Sequence, residues 1–395
     1  MLFRAIDLTP HEVEVHKRID DLRKRLRNAV QPRRWTGLLS RFAAAKALQG
    51  SNSIEGYHVS DEDAVAAVDG EEPIETPGKT WAAVRGYQEA MTYVLQLSDD
   101  LHFKYSDDLI RGLHFMIMKY TLDYGPPKHP GRYRPGPIYV RNEATKKVVY
   151  DAPDDALIPE LVTELVSDLS EASALPPMIR AAMAHLNLVM IHPFSDGNGR
   201  MARCLQTMVL AREEILSPEF CSIEEYLWNE RADYYAVLSD TAKGAWHPEN
   251  DTSRWIRFCL IAHYRQAMRL LRRTRQMQRV WDEVEQLIAS AKLPERMVAS
   301  LVNVTMRPQN GIRNPHYRHA AGVPEHVATR DLKMLADHGF IVTAGERKGR
   351  RYFPGLQLQE IWKKVREAER GPEHEDPFAS ETDSVPGLQS EAATV

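Results

Sequence analysis

Apolar residues recur every three or four positions along much of the chain, which is the spacing of one helical face. The clearest stripe consists of Ile158, Leu161, Val162, Leu165 and Leu169. The same period predicts helices over residues 81–97, 107–118, 178–191, 198–212 and 223–242, and from 251 past 275. Ser106 stands just before the second of these helices and suits an N-cap. The pattern therefore predicts an all-α bundle for this part of the chain.

Two stretches depart from the helical period and predict short β-hairpins. Residues 138–141 alternate β-forming side chains after a loop rich in proline and glycine. Near the C-terminus, residues 340–343 and 351–353 flank a basic turn at 345–350. The fold class is therefore mainly α, with a small hairpin inside the bundle and a second hairpin beyond it.

The C-terminal third has its own organisation. Residues 319–324 indicate a helix followed by a turn, and residues 325–338 indicate a second helix with an apolar face. Together with the basic hairpin, this order resembles a winged helix-turn-helix. Such modules bind DNA in some proteins and serve as docking or dimer modules in others, so both roles are left open. The side chains that would face DNA are Arg330 and Lys333 on the second helix and Arg347, Lys348, Arg350 and Arg351 on the wing.

Composition narrows the class of protein. The 395 residues are 43% hydrophobic and 27% charged, which is typical of a globular chain of two or three domains. The net charge of -4 gives no general reason to expect a nucleic-acid partner. Cys204, Cys221 and Cys259 are too scattered for a disulfide framework or a metal site, and they fit a reducing compartment. With no signal pattern and no apolar run of membrane-spanning length, we expect a cytoplasmic protein without a membrane partner.

These patterns divide the chain into four regions. Residues 1–78 form an N-terminal helical region, and residues 79–275 form the main bundle. Residues 276–368 form the winged-helix domain, and the polar, acidic residues 369–395 are predicted to be a disordered tail.

One twelve-residue stretch at 192–203 concentrates the candidate chemistry. Pro193 cannot continue a helix, so His192 is expected at the mouth of a loop. An imidazole there can take a proton from a hydroxyl group, because its pKa is near neutrality. Asp196 supplies the hard oxygen ligand that Mg²⁺ prefers and commonly shares with phosphates and water.

The second half of this stretch is suited to anions. Gly197 and Gly199 allow the backbone to approach a ligand closely, and successive N–H groups there can cradle phosphates at a helix N-terminus. Arg200 and Arg203 are three residues apart and share a helical face. Guanidinium groups bind phosphate oxygens well. The combination predicts a site for an activated polyphosphate.

The twelve residues closely resemble the signature of the Fic (Fic/Doc, or Fido) family and match it at every fixed position. The resemblance implies a Fic-type helical bundle and a protein adenylyltransferase, which transfers AMP from ATP to a Ser, Thr or Tyr hydroxyl. It makes His192 the base and Asp196 the ligand of Mg²⁺. Arg203 would reach the γ-phosphate. The amides of Gly197, Asn198, Gly199 and Arg200 would cradle the α- and β-phosphates.

Other segments extend the resemblance to the walls of the site. Residues 131–134 together with Ile138, Tyr139, Val140 and Arg141 resemble the family's flap, which would lie beside the nucleotide and pair with an extended target segment. Residues 147–153 resemble its return strand. Tyr234 and Tyr235 resemble a tyrosine pair that lines the adenine pocket, although an aromatic pair on a helix also packs in cores. Ala242 stands where some relatives have an asparagine, which leaves the adenine contacts open.

A second motif lies upstream, at residues 51–56. Ser51 and Glu55 are four residues apart on one helical face, and Gly56 suits the left-handed residue that ends a helix. The motif resembles the family's inhibitory pattern in its N-terminal, class II arrangement. By that resemblance, Glu55 would pair with Arg203 and keep it from the γ-phosphate. The alternative is a solvated glutamate at a helix end.

The leading hypothesis is thus a self-inhibited protein adenylyltransferase that uses ATP and Mg²⁺. One alternative is removal of AMP from a modified protein, with Glu55 positioning water. Another is a DNA-binding regulator whose Fic core senses nucleotide. Kinase activity of the Doc type fits less well, because the Gly-Asn-Gly run is intact. The target, its acceptor residue, the nucleotide preference and the oligomeric state, including a homodimer, are left open.

Overall fold

The computed structural model describes residues 1–29, 34–73, 76–121, 129–141, 145–171, 173–213, 220–346, 350–371 and 375–379. Helices dominate these ranges. In the first half they are α1 (Pro10–Ala29), α2 (Thr36–Ile54), α3 (Asp61–Asp69), α4 (Gly78–Leu97), α5 (Asp107–Met118), α6 (Ile158–Ser170) and α7 (Pro177–Ile191). In the second half they are α8 (Asn198–Ala211), α9 (Glu224–Asn229), α10 (Arg231–Ala242), α11 (Ser253–Ser290), α12 (Val298–Met306), α13 (Asn314–Ala321), α14 (Glu325–Asp337) and α15 (Leu356–Ala368).

Four short strands form two antiparallel hairpins. Strand β1 (Tyr139–Arg141) pairs with β2 (Val148–Asp151), with a register irregularity between Val140 and Arg141. Strand β3 (Ile341–Ala344) pairs with β4 (Arg351–Pro354) in regular register. The sequence prediction of a mainly α fold with two small hairpins is confirmed.

Helices α7 and α8 form the centre of the bundle. Both are buried on nearly all sides, and α4, α5, α6 and α11 pack around them. Trp255 of α11 is fully buried and donates its indole N–H to the Ala182 carbonyl of α7 at 2.9 Å. Because α7 ends and α8 begins at the same loop, the core fixes the position of that loop.

Local capping explains where several helices begin and end. The Ser106 side chain accepts a hydrogen bond from the Leu109 N–H at 3.1 Å and caps α5, as predicted. Ser60 caps α3 in the same way, and α3 ends at Gly70 in a left-handed conformation. Helix α2 ends at Ile54, and Gly56 follows with φ 81°. This left-handed glycine turns the chain towards α3.

Two predicted boundaries were wrong. The single helix expected over residues 223–242 is two helices, because Glu230 has non-helical backbone angles between α9 and α10. The domain boundary expected after residue 275 falls inside α11, which is continuous to Ser290. Buried side chains such as Met277, Val280 and Val284 continue its apolar face across the expected boundary.

Part of the predicted tail is packed against the bundle. In residues 375–379, Phe378 is 3% exposed and lies under the Arg257 guanidinium, 4.1 Å from the ring centre. Glu375 accepts hydrogen bonds from Arg18 and Tyr264 at 3.0 and 2.8 Å. The prediction of disorder was therefore wrong for these five residues. Because the segment is polar in composition, the sequence did not reveal that Phe378 would be buried and that Glu375 would form an ion pair with Arg18.

The C-terminal module, residues 298–368, has the predicted order of helix, turn, helix and hairpin. Helix α13 ends at Ala321 and is capped by the left-handed Gly322, α14 follows, and β3 and β4 come next. Arg330 and Lys333 are exposed on α14. Arg351 instead contacts the Glu62 carboxylate at 2.9 Å, and Arg347 and Lys348 lie outside the described residues. The description of the module as a winged helix stays a prediction.

Among the described residues, no helix is both long and apolar enough to cross a lipid bilayer.

Candidate functional site

His192 stands at the end of α7, in the mouth of the loop that leads to α8. Its backbone is left-handed, with φ 50° and ψ 54°, which turns the chain sharply out of the helix. The imidazole Nδ1 lies 3.0 Å from the Val189 carbonyl oxygen, so Nδ1 carries the proton and donates it there. Nε2 is left with a lone pair. Burial, reinforced by the Arg134 charge, lowers the pKa of His192 and keeps the ring neutral near pH 7.

Asp196 lies on the outer side of this loop, with its side chain exposed to solvent. One carboxylate oxygen accepts the Gly197 N–H at 2.6 Å. Gly197 has φ 77° and forms the N-cap of α8. The N–H of Gly197 is therefore already used inside the loop, which departs from the prediction that it belongs to the phosphate cradle.

The first turn of α8 carries the other N–H groups that the sequence predicted for a phosphate cradle. Met201 makes the first bond of the helix, from its N–H to the Gly197 carbonyl at 2.9 Å. The N–H groups of Asn198, Gly199 and Arg200 precede that bond and lack partners within the helix. The side chain of Asn198 accepts the Phe194 N–H at 2.9 Å and donates to its carbonyl at 2.8 Å. Asn198 thus closes the loop with its side chain and offers only its backbone to a ligand.

Arg200 is buried beneath this turn with part of its charge unsatisfied. The guanidinium Nη2 lies 2.9 Å from the Met118 sulfur, and the group lies over the Tyr57 ring at 5.2 Å. Its Nε and Nη1 have no hydrogen-bond partner among the described residues. Burying a cation that has two donors without hydrogen bonds costs free energy unless an anion binds beside it. Its charge adds to the positive end of α8.

Arg203 lies one turn further along α8 and is 1% exposed. Its Nη2 donates to the Glu55 carboxylate at 2.7 Å. Its Nε donates to the Ser51 hydroxyl at 2.9 Å, and Nη2 also reaches the Ser51 carbonyl at 3.1 Å. The structure therefore brings Arg203 to Ser51 and Glu55, each of which lies more than 140 residues before it in sequence.

The Glu55 carboxylate occupies the space directly over the start of α8. A Cβ on Gly199 would lie too close to the Glu55 carboxylate oxygen, so the Glu55 side chain would have to shift to admit it. Burial opposes ionisation of Glu55, but the Arg203 and Arg200 charges outweigh it and hold the pKa of this carboxyl below its ordinary value. An anion thus already lies at the N-terminus of the helix, and it belongs to the protein.

The hairpin β1–β2 forms the outer wall. Strand β2 pairs with β1 along one edge. Along its other edge it approaches residues 244–245, where the Asp151 N–H donates to the Gly244 carbonyl at 2.9 Å. Among the described residues, β1 pairs only with β2, so its second edge is open. Tyr139 and Arg141 are exposed, and Ile138 and Val140 are half-buried. Hydrogen-bonding groups of β1 are thus available to an extended segment.

The two tyrosines of α10 differ in their surroundings. Tyr235 is 44% exposed, and its hydroxyl lies 3.4 Å from the Ile54 carbonyl at the end of α2. Tyr234 is buried in the core, and its hydroxyl lies 2.8 Å from His185 Nε2. The structure thus corrects the expectation for Tyr234, because this ring has no open surface to offer an adenine. Only Tyr235 is placed on the wall of the site.

Arg134 was not among the predicted site residues. It is buried, and its guanidinium donates to the carbonyl oxygens of His192, Gly136 and Pro153 at 2.9, 2.6 and 2.5 Å. Burial lowers the pKa of this guanidinium below its ordinary value. These bonds join the His192 loop to the hairpin. Its position in the segment 131–134 was the only indication of a role in the sequence. Its contacts with His192 and Pro153 could not be foreseen, because these residues are 58 and 19 positions away.

His114 was also missed. It lies on α5 and stacks on Phe194 with the two rings 3.7 Å apart and nearly parallel. Its Nε2 lies 2.9 Å from the Asp196 carbonyl, and its Nδ1 accepts the Gly131 N–H at 2.9 Å. Burial lowers its pKa to about 4, so the ring is neutral. Nothing in the sequence marked it, since a histidine on a helix face is most often structural.

The loop fits a hard divalent cation that also binds a ligand. Asp196 presents an exposed carboxylate beside the first turn of α8. Among the described residues, no group of three or more His, Cys, Asp or Glu side chains has the arrangement of a metal site. Mg²⁺ commonly has one or two carboxylates and completes its octahedron with phosphate oxygens and water. One exposed carboxylate next to an anion site meets this requirement.

The part of the chain that contains this site is similar in sequence to known proteins. Residues 104–210 match the family model described as Fic/DOC family. The chain is 31% identical over 208 residues to a protein adenylyltransferase Fic of Nematostella vectensis, which covers 50% of this chain and 43% of the relative. It is 33% identical over 139 residues to protein adenylyltransferase fic-1 of Caenorhabditis elegans, which covers 35% of this chain and 24% of the relative. The chain thus spans less than half the length of these relatives.

Solved structures share the fold. A Fic family protein from Desulfovibrio desulfuricans G20 superposes with a TM-score of 0.56 at 20% identity, covering 90% of this chain and 99% of that one. Fic-1 of C. elegans superposes with a TM-score of 0.52 at 24% identity, covering 66% of this chain and 72% of that one. At these identities the similarity concerns the fold alone.

Proposed function

Because the chain belongs to the Fic/DOC family through the domain at residues 104–210, we propose that it is a protein adenylyltransferase held inactive by its own Glu55. It transfers AMP from ATP to a Ser, Thr or Tyr hydroxyl of a target protein. The observation that carries the proposal is the Glu55–Arg203 contact of 2.7 Å at the N-terminus of α8, a few residues after His192. A base, a phosphate cradle and a competing carboxylate then share one site.

His192 acts as the general base. Its Nδ1 bond to Val189 leaves the Nε2 lone pair for the hydroxyl proton of the target. As that proton moves to Nε2, the hydroxyl oxygen bonds to the α-phosphorus. The bond from the α-phosphorus to the oxygen shared with the β-phosphate breaks, and pyrophosphate leaves. The open edge of β1 supports the target segment by strand pairing and holds the hydroxyl near His192.

The start of α8 binds the α- and β-phosphates. The N–H groups of Asn198, Gly199 and Arg200 and the positive end of the helix favour their charge. Arg200 has two unused donors for the same oxygens. Mg²⁺, held by Asp196, would neutralise charge on the phosphates when bound. We assign Tyr235 to the base of the nucleotide, because its exposed ring lies beside the end of α2, with the hydroxyl 3.4 Å from the Ile54 carbonyl.

Glu55 opposes this binding in two ways. It holds Arg203, the residue that would otherwise bind the γ-phosphate. It also places a negative carboxylate against Gly199, where phosphate oxygens are expected. Both effects disfavour the pose in which the α-phosphorus faces His192. Loss of the carboxylate should therefore release activity.

The decisive experiment follows the transfer of label from ATP carrying it on the α-phosphate into proteins of a cell lysate. Glu55→Gly should raise the rate by roughly tenfold to a hundredfold, which corresponds to one charge-assisted hydrogen bond. Adding His192→Ala should lower that rate by roughly a hundredfold or more, which is typical of a lost general base. Mass spectrometry of the labelled proteins then identifies the transferred group, the target and the acceptor residue.

Two controls make the result specific. Glu55→Gln keeps the size of the side chain and removes its charge, so it should activate almost as well as Glu55→Gly. His247→Ala changes a half-exposed histidine outside the site and should leave the rate of the activated protein unchanged. Label transfer that survives His192→Ala in the activated protein would rule out His192 as the base.

The same variants distinguish AMP transfer from the alternative reaction, removal of AMP from a modified protein. In that reaction Glu55 would orient a water molecule, so Glu55→Gly would abolish activity rather than raise it. A substrate protein carrying AMP, incubated with the wild-type chain and with Glu55→Gly, gives opposite outcomes for the two reactions.

A further inference from the structure

His114 contacts the two segments that must be held together for transfer. From α5 it reaches the loop that carries Asp196 and, through its other ring nitrogen, Gly131, in the segment that leads to the hairpin and eight residues before β1 begins. These two partners are separated by 65 residues in sequence. Its third neighbour, Phe194, lies between His192 and Asp196 and stacks on its ring at 3.7 Å.

The hydrogen bonds define the tautomer of the ring. A backbone N–H only donates, so Nδ1 must accept the bond from Gly131. The Asp196 carbonyl only accepts, so Nε2 must carry the proton. One neutral imidazole therefore donates to the cation-binding loop and accepts from the hairpin. Few other side chains can do both at this separation.

A glycine lies beside each of the two hydrogen bonds of the His114 ring. Gly131 has φ 76°, and a side chain there would meet the Arg111 carbonyl at 3.0 Å. The Gly131 carbonyl in turn accepts the Arg111 Nε–H at 2.9 Å. A side chain on Gly197 would lie 3.4 Å from His114 Nε2 and closer still to Met118. The ring thus lies between two glycines, at each of which a side chain would be crowded by its neighbours.

From this geometry we propose that His114 is a positioning residue, which sets the Asp196 loop and the hairpin at a fixed distance through one neutral tautomer. It contacts neither substrate nor cation directly. It fixes the carbonyl of Asp196 and so the direction of the carboxylate that would hold Mg²⁺. It also fixes Gly131, in the segment that leads to the hairpin proposed to receive the target. The role depends on the proposed AMP transfer for its purpose, but its contacts are testable without that reaction.

Three substitutions separate the two bonds, all made in the Glu55→Gly background. His114→Asn places an amide oxygen near the position of Nδ1 and loses the bond to Asp196. His114→Gln places an amide N–H near the position of Nε2 and loses the bond to Gly131. His114→Phe retains the stacking on Phe194 and loses both bonds. His263→Phe replaces another buried histidine, on α11, and serves as the matched control.

The first readout is hydrogen exchange at the Gly131 amide. His114→Gln and His114→Phe should accelerate it about fivefold or more, the size of one ordinary hydrogen bond, while His114→Asn should retain most of the protection. The second is the affinity for ATP with Mg²⁺, measured by calorimetry with His192→Ala added to prevent turnover. It should fall about fivefold in His114→Asn and His114→Phe and change less than twofold in His114→Gln.

The two proposals fail in different ways. If Glu55→Gly transfers no label, the adenylyltransferase proposal fails, while the exchange and calorimetry results still report on His114. Unchanged exchange at Gly131 in His114→Gln would overturn the positioning role. So would an equal loss of ATP affinity in all three variants and in His263→Phe, because that outcome indicates general destabilisation. Thermal unfolding of each variant identifies the latter case.

Discussion

At the scale of single residues, His192 is constrained by backbone and side chain together. Its left-handed backbone is uncommon for a residue with a side chain and has an energetic cost. Its carbonyl is held by Arg134 and its Nδ1 by Val189. The surrounding bonds therefore fix where Nε2 points before any ligand arrives, which lowers the reorganisation needed for proton transfer.

The pH dependence of transfer should report the state of this ring. Only neutral His192 accepts a proton, so the rate should fall as the pH drops through its pKa. Burial puts that pKa below the ordinary value of 6.5, and removal of Glu55, whose charge raises it, should lower it further. In Glu55→Gly, the rate of label transfer should therefore be flat near pH 7 and reach half its plateau below pH 6.5. A midpoint above that value would contradict the assignment.

Arg134 should matter for stability as well as for rate. Its buried guanidinium serves three carbonyl groups in different directions, and a lysine ammonium lacks that planar fork. Arg134→Lys should lower the free energy of unfolding by about 2 kcal/mol, the cost of unsatisfied buried acceptors, and should slow transfer. Denaturant titration measures the first effect. Arg132→Lys, at an exposed position of the same segment, should change neither quantity.

At the scale of elements, α2 is held against the bundle by close backbone contact. Gly50 faces α9 without a side chain, and a Cβ there would lie 2.6 Å from the Glu224 carbonyl oxygen. This contact lies just over one helical turn before Glu55. The close approach therefore sets how deeply α2, and with it the carboxylate, enters the site.

Gly50→Ala should consequently activate the protein without changing any residue of the proposed catalytic site. The added methyl group must push α2 away from α9, which draws Glu55 from Arg203. We expect faster label transfer and lower thermal stability than in the wild type. Gly37→Ala, at the open start of the same helix, meets no atom within 4 Å and should slightly stabilise the helix without activation. Equal activity of Gly50→Ala and wild type would show that the depth of α2 does not control the site.

Sequence reasoning succeeded where the relevant residues are contiguous. Helical periods predicted most helices, and the motif at 192–203 correctly placed His192 at the end of one helix and the two arginines on the next. The roles of these residues as base and phosphate ligands stay predictions. Sequence reasoning could not find His114 or Arg134, because their roles depend mainly on partners 17 to 82 residues away. It also misjudged Gly197, whose N–H is taken by the neighbouring Asp196, and Tyr234, whose burial depends on tertiary packing. Local patterns predict elements, whereas the pairing of polar groups depends on the assembled fold.

At the scale of the whole molecule, the C-terminal module contacts α3, the helix that follows Glu55 by six residues. Glu62 of α3 pairs with Arg313 and with Arg351, the latter at 2.9 Å. Asp61 accepts from Asn310 at 3.3 Å and from Lys46 of α2 at 2.7 Å. Arg351, expected on a DNA-binding wing, is thus engaged within the chain. DNA binding through Arg330 and Lys333 and formation of a homodimer stay predictions, which gel shift and light scattering would check.

The Glu62 ion pairs should couple this module to the site. Glu62 and Arg313 are both largely buried, so Glu62→Gln leaves the Arg313 charge unpaired away from water. Loss of one partner of a buried pair typically costs about 3 kcal/mol, and we expect that decrease in the free energy of unfolding. Because α3 follows α2 directly, looser packing of α3 should also raise the basal rate of label transfer towards that of Glu55→Gly.

An exposed pair in the same module separates coupling from a general effect of charge. Glu325 lies 3.9 Å from Arg318 at the surface of the module, so Glu325→Gln should change stability by less than about 1 kcal/mol and leave the basal rate unchanged. The double substitution of Glu62→Gln with Glu55→Gly should be no faster than Glu55→Gly alone, because both act by removing the same carboxylate from α8. A further increase in the double variant would mean that Glu62 affects transfer by a route other than Glu55.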